Sequence, residues 1–306
     1  MPRANNFDAL RLFAAFMVLW SHQFALSGRP EPLFLGPHGY GNLGVLIFFS
    51  ISGYLVRASW KSDPSLWRFA LKRFLRIAPA LTVCALITPR VVEALGLWPF
   101  PHNPLHALNG SLWTIEFEVQ CYLMLAALAL LLPRVGLIFA LGMLVWWWNV
   151  RDVHPHTVAH FGLLFAVGIL MQEYPVLRTG KAVAGLVAAG LLLLPTGHYQ
   201  VVLALIVAPL SIWIGSASWP VLRRAGRWGD ISYGIYIYAW PVEQIGVALL
   251  GQRTSYLELL AMTVTATVAL AVLSWRLIEK PSLSLKPRAM RPMSTVVDRP
   301  VEARAP

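Results

Sequence analysis

Long apolar runs separated by short polar links are the feature that most constrains the fold of this chain. A helix needs about 20 mostly apolar residues to cross a bilayer, and the 306 residues contain about ten runs near that length. Only 13% of the residues are charged, against about 25% in soluble domains. We therefore predict an all-α, polytopic transmembrane bundle of about ten helices. The predicted spans are 7–26, 40–56, 77–97, 112–132, 136–149, 160–171, 182–194, 201–215, 231–250 and 256–278.

The basic residues indicate an orientation. Most of the 25 lysines and arginines fall in links that share one side of the bilayer if the N-terminus is cytoplasmic, as the positive-inside rule requires. This asymmetry explains the net charge of +11 without a nucleic-acid partner. We expect a multi-pass protein of the bacterial inner membrane with both termini in the cytoplasm. Residues 1–286 form one predicted transmembrane domain, and 287–306 form a predicted disordered cytoplasmic tail rich in Pro and Arg.

Ionisable residues inside the first span are candidates for function, because such groups are costly in a membrane unless they pair or face a wet cavity. Asp8, Arg11 and His22 fall on one face of that helix, with Arg11 and His22 roughly 16 Å apart along the axis. Asp8 lies one turn from Arg11 and can pair with it. Two interpretations remain: a structural ion pair with a hydrogen-bonded histidine, or catalytic groups.

The fourth span carries two carboxylates, Glu116 and Glu118, which point to nearly opposite helix faces and form no dyad by spacing. Glu118 and His22 both lie roughly 7–12 Å below the predicted outer surface. A carboxylate that orients an imidazole makes it a better general base. The sequence leaves open whether Glu118 contacts His22.

Arg73 and Arg76 lie one turn apart where the third span meets the cytoplasm. Their guanidinium groups are suited to binding phosphates, although a solvated positive cluster is the alternative. Ser52 and Gly53 in the second span permit close helix packing, and Asp230 is the predicted N-cap of the ninth span. The cysteines, Cys84 and Cys121, have no metal or disulfide spacing, and we predict no metal site.

Taken in order, these segments resemble the acyltransferase-3 family of membrane-bound O-acyltransferases. The resemblance rests on Asp8, Arg11 and His22 in the first span, on the serine-glycine segment 48–55, and on Arg73 and Arg76. It continues through Trp113, Glu118 and Tyr122 in the fourth span, the segment 229–236, and the segment 276–281 that closes the last helix. Together the motifs run from residue 6 to about 281.

This resemblance implies about ten helices, acyl-CoA on the cytoplasmic side and a sugar hydroxyl as acceptor toward the periplasm. It implies His22 as catalytic base, Arg11 as its essential partner and Glu118 in the active cavity. Arg73 and Arg76 would lie near the acyl-CoA, whose acyl group we expect to be acetyl, with no bound cofactor. The supporting residues are Asp8, Ser52, Tyr54, Trp113 and Tyr122.

Two departures from the family pattern limit what is carried over. Many members have a histidine in the ninth span, where this chain reads Tyr238-Ala239-Trp240-Pro241. We also expect no extra-membrane esterase-like domain of the kind that is attached to some relatives. We expect transfer of an acyl group from acyl-CoA to a hydroxyl of an envelope glycan across the lipid bilayer, with His22 as base. The alternatives are a transporter or flippase for an envelope saccharide, and an inactive relative that assists envelope assembly.

Overall fold

The computed structural model describes residues 5–98, 100, 103, 107–150, 158–250 and 254–286. Within these ranges the protein is a bundle of α-helices with one short hairpin. The helices are α1 (Phe7–Leu26), α2 (Tyr40–Ser62), α3 (Leu66–Ala94), α4 (Trp113–Leu131), α5 (Gly136–Val150), α6 (Val158–Glu173), α7 (Gly180–Leu193), α8 (Tyr199–Ser216), α9 (Ser232–Leu250), α10 (Tyr256–Ser274) and α11 (Lys280–Ser284). The predicted tail, 287–306, lies outside the described residues.

Shorter elements complete the path of the chain. Strands β1 (Leu33–Leu35) and β2 (His38–Gly39) pair antiparallel between α1 and α2. Short 3₁₀-helical segments cover Pro175–Arg178, Leu194–Thr196 and Leu222–Trp228. A π-helical turn, Trp275–Glu279, joins α10 to α11, so the two form one continuous helix.

The predicted membrane bundle is confirmed. Each of the ten predicted spans corresponds to one of α1–α10 in the described chain. By length and composition, α1, α2, α3, α4, α8 and the continuous helix Tyr256–Ser284 are each able to cross a membrane, and α5, α6 and α7 are shorter apolar helices. Large apolar side chains point outward, among them Leu123, Leu131 and Leu192. Such a surface requires lipid, so the protein is a multi-pass membrane protein.

The centre of the bundle is α2, which packs against α1, α4, α6 and α8. Close approach of α2 and α6 depends on two glycines. A Cβ atom on Gly53 would meet the backbone of Phe165, and one on Gly168 would meet the backbone of Ser50 and Tyr54. Small residues allow this approach in a membrane, where van der Waals packing holds helices together. A second layer is formed by α9, which packs against both α1 and α10.

Two details differ from the sequence prediction. Helix α3 begins at Leu66 instead of residue 77. A span predicted from consecutive apolar residues excludes the basic turns that extend a helix beyond the bilayer. Arg57, which lies just beyond the predicted span 40–56, is buried within α2. Its guanidinium donates to Glu173 at 2.7 Å and to the Pro133 carbonyl at 2.7 Å, so it joins α2 to α6.

Candidate active site

A cavity of about 150 Å³ lies between α1, α2, α3, α4 and α9. Its apolar wall comes mainly from α2, through side chains such as Phe48, Phe49 and Leu55. Its polar lining includes residues that the sequence analysis selected from four different spans: Arg11, Ser52, Arg73, Arg76, Glu118 and Tyr122. The fold therefore brings together six of the predicted site residues, which are up to 111 positions apart in the chain.

An ionic network lies at the Arg11 end of this cavity. Arg11 donates to Asp8 at 2.8 Å, which is the pair expected from their spacing, and to Asp230 at 2.6 Å. Arg76 donates to the same oxygen of Asp230 at 2.6 Å and lies 3.9 Å from Glu279. Asp230 is thus the shared acceptor of two arginines, a role that its interpretation as an N-cap missed.

Arg73 differs from Arg76 in its surroundings. Its guanidinium lies over the rings of Phe69 and Tyr122, 5.9 and 5.6 Å from their centroids. Its Nε is buried and has no hydrogen-bond partner among the described residues. A guanidinium that is stacked but not paired with a carboxylate keeps donors for an anionic ligand.

Glu118 is the acceptor of a hydroxyl cluster on the cavity wall. Ser52 Oγ donates to Glu118 Oε1 at 3.0 Å and lies 2.9 Å from the Tyr122 hydroxyl, which also donates to Glu118. Glu116 instead accepts from Gln120 at an exposed position, so the two carboxylates do face different directions. The Glu118 cluster connects α2 to α4.

Thr114 and Tyr236 line another part of the cavity wall. Their hydroxyl oxygens are 2.5 Å apart, and Tyr236 also donates to the Ser111 carbonyl at 2.8 Å. These contacts attach the start of α4 to α9. The start of α4, which includes Trp113 of the family resemblance, is therefore positioned against α9.

His22 lies outside the residues that line the cavity. It packs edge-on against Trp240, with ring centroids 4.8 Å apart. Trp240 follows Tyr236 by one helical turn, so both are on the same face of α9. The carboxylate that approaches His22 is Glu243, whose Oε2 is 3.9 Å from His22 Nδ1. The described contacts of Glu118 are with Ser52 and Tyr122, so they give no support to Glu118 as the group that orients the imidazole.

Tyr54 and Trp113 have packing contacts away from the cavity lining. The Tyr54 hydroxyl accepts a hydrogen bond of 2.7 Å from Arg178, and its ring packs against Phe7. Trp113 packs against Phe117 and Phe161. Both residues therefore join helices around the site.

Sequence reasoning missed Asp230, Glu243 and Glu279 as members of these networks. Glu243 carries the signal that selected Asp8 and Arg11, an ionisable side chain inside an apolar span. Asp230 and Glu279 carry no comparable signal, because both lie at polar ends of helices. Within the described ranges, no group of three or more His, Cys, Asp or Glu is arranged to hold a metal.

Comparisons with known proteins agree with the family resemblance. A family model described as an acyltransferase domain, acyltransferase-3, matches residues 5–276. An O-acetyl transferase of Shigella phage Sf6 is 31% identical over 92% of this chain and 96% of its own length. Nodulation protein 10 of Rhizobium leguminosarum bv. viciae is 30% identical, with coverage of 92% and 94%.

A further relative is more distant. The peptidoglycan O-acetyltransferase OatA of Listeria monocytogenes is 27% identical over 79% of this chain and 51% of its own length. No solved structure matches the chain significantly.

Proposed function

Because the chain belongs to the acyltransferase-3 family and is an O-acyltransferase, we propose that it transfers an acetyl group from acyl-CoA to a hydroxyl of an envelope glycan. The acyl-CoA enters from the cytoplasm and the acceptor from the periplasm, across the bacterial inner membrane with both termini cytoplasmic. Relatives named as O-acetyltransferases support the acyl group and the hydroxyl acceptor. The basic links support the orientation.

The observation that carries the proposal is the single cavity that contains Arg11, Arg73, Arg76 and Glu118. In it, Arg73 is the arginine that has no carboxylate partner among the described residues, and it binds a phosphate of the CoA. Asp230 orients Arg76 and Arg11, so both guanidinium groups are held at the same end of the cavity. The apolar wall of α2 accommodates the pantetheine arm and the acyl group.

His22 acts as the general base in this scheme. Its imidazole takes the proton of the acceptor hydroxyl as the oxygen attacks the thioester carbonyl, a contribution typically worth about 10²–10⁴-fold. The tetrahedral intermediate then collapses, the carbon–sulfur bond breaks, and the CoA thiolate takes the proton from the imidazolium. Trp240 packs on His22 and follows Tyr236 of the cavity wall by one turn, so this position is adjacent to the cavity.

Thiol release from acetyl-CoA by purified protein in lipid tests the proposal. We expect release that requires both an envelope-glycan extract and His22, and none above background from His22→Ala, with equal expression and insertion of the two proteins. Acetyl transfer at the wild-type rate by folded His22→Ala would refute His22 as base. A folded wild-type protein that releases no thiol from any short acyl-CoA would refute acyl-CoA as donor.

A further inference from the structure

Beside His22, a carboxylate is buried without a hydrogen-bond partner. Glu243 of α9 is 0% exposed, and neither of its carboxylate oxygens has a hydrogen-bond partner among the described residues. His22 Nδ1 is also buried and lacks such a partner. A polar group left unpaired in an apolar interior is costly, and an ionisable residue within a membrane span generally has a functional role.

The geometry turns these two unpaired groups toward each other. Glu243 Oε2 is 3.9 Å from His22 Nδ1, so a shift of about 1 Å forms an ordinary hydrogen bond. Catalytic hydrogen bonds are often long before substrate binds and shorten in the Michaelis complex. Trp240 packs edge-on against the imidazole, with ring centroids 4.8 Å apart. This contact restricts rotation of the imidazole as the hydrogen bond to Glu243 shortens.

We propose that Glu243 is a positioning residue. Its carboxylate accepts a hydrogen bond from the Nδ1–H group of His22 and thereby keeps Nε2 free as the base. The proposal rests on the proposed function of His22. A carboxylate on Nδ1 selects one tautomer of the neutral imidazole and stabilises the imidazolium that forms on proton transfer. Proton balance is simple: the acceptor proton moves to Nε2 and leaves with the CoA thiolate, while the Nδ1 proton stays between His22 and Glu243.

Among the described residues, no second carboxylate lies within ion-pair distance of His22. Gln23, which follows His22 on α1, is bonded instead to Thr263 of α10 at 2.9 Å. Tyr256 of α10 packs against Phe24, beneath Arg29. Glu118 remains bonded to Ser52 and Tyr122, so Glu243 is the carboxylate available to His22.

Two variants of Glu243 and one matched control test this assignment. Glu243→Leu removes every acceptor, and because it replaces an unpaired buried carboxylate with an apolar group, we expect it to fold. Glu243→Gln preserves the shape and a neutral acceptor. Gln244→Leu is the control, because Gln244 is the next residue on α9, is 2% exposed and also has an unpartnered side chain.

We expect Glu243→Leu to lower kcat about 10²-fold with an unchanged KM for acetyl-CoA. The kcat of Glu243→Gln should lie between those of Glu243→Leu and wild type. Gln244→Leu should retain the wild-type kcat and KM. Nitrogen NMR of ¹⁵N-histidine-labelled protein reports the tautomer directly, with the His22 signal assigned by its loss in His22→Ala. Wild type is expected to carry the proton on Nδ1, and Glu243→Leu to lose that preference.

An unchanged His22 tautomer, or wild-type kcat in both Glu243 variants, overturns the inference. Failure of the proposed function is a separate result, seen when His22→Ala itself remains active. If Glu243→Leu does not fold, the kcat and the His22 tautomer of Glu243→Gln test the inference, since glutamine preserves the side-chain volume.

Discussion

The Asp230 carboxylate accepts a hydrogen bond of 2.6 Å from Arg76, although 154 positions separate the two residues. The same carboxylate oxygen accepts from Arg11 at 2.6 Å. One side chain at the start of α9 therefore fixes α1 and α3 at the same end of the cavity. Two guanidinium groups would repel each other there without a shared anion.

Replacement Asp230→Asn tests this network. We expect loss of acetyl transfer and a lower Tm of the detergent-solubilised protein, because the replacement leaves two partly buried guanidinium groups without their shared anion. Breaking a fully buried ion pair costs about 3–5 kcal/mol, which is the upper bound for this change. Thermal unfolding followed by intrinsic fluorescence, alongside thiol release, measures both effects. An Asn variant with wild-type Tm and turnover would contradict this role.

Asp63→Asn is the matched control for that replacement. Asp63 lies on the link between α2 and α3 and pairs with Arg68, whose side chain is 45% exposed, and with Lys72. Hydrogen bonds from Arg68 and Lys72 lower the pKa of Asp63 from 3.8 to about 2. Its stabilising contribution is therefore complete above pH 3.8 and is lost only as the pH falls through about 2. At neutral pH we expect a lower Tm with acetyl transfer retained, because Asp63→Asn leaves the buried Lys72 without its carboxylate at a position outside the cavity lining.

Arg73 and Arg76 are expected to differ when each is replaced by Ala. A charge-assisted hydrogen bond is worth about 1.5–3 kcal/mol, so loss of Arg73 should raise the KM for acetyl-CoA by about 10- to 100-fold. Loss of Arg76 should also lower Tm, because it leaves Asp230 and Glu279 with one fewer cation.

Steady-state kinetics and thermal unfolding separate the two effects. Arg68→Ala, on the same helix, is the control and should leave KM unchanged. Equal KM for Arg73→Ala and wild type would remove Arg73 from the donor site.

The hydroxyl cluster on Glu118 predicts non-additive kinetics. Tyr122→Phe and Glu118→Gln each break a hydrogen bond of the same cluster, so their combined loss of kcat should be smaller than the product of the single losses. A double-mutant cycle on thiol release measures this coupling. Strictly multiplicative losses would show that the two residues act independently.

Close packing of α2 on α6 predicts a large effect of a single methyl group. Gly53→Ala places a Cβ against the backbone of Phe165, so the helices must separate, and we expect a marked loss of folded protein. Gly142→Ala on α5 is the control, because its Cβ meets nothing within 4 Å, and a compatible Gly→Ala change stabilises by about 0.4–1 kcal/mol. Size-exclusion chromatography and Tm compare the two. Equal stability of both variants would show that α2 and α6 can separate without cost.

Much of the fold is determined by local sequence. Hydropathy and length are properties of consecutive residues, so the ten spans were predictable. The largest error in a span end lies where basic turns extend a helix, as at Leu66. The pairing of Asp8 with Arg11 was also predictable, since helical geometry places residues three apart on one face.

Tertiary structure alone decided which distant charges meet. Asp230 with Arg76, Glu243 with His22, and Arg57 with Glu173 each join different helices. Their contact depends on how the helices cross and rotate about their axes, which the packing of small residues such as Gly53 and Gly168 determines. The sequence therefore predicted six of the residues that line the cavity, whereas helix packing assigned Glu118 to the Ser52–Tyr122 cluster and placed Glu243 beside the imidazole.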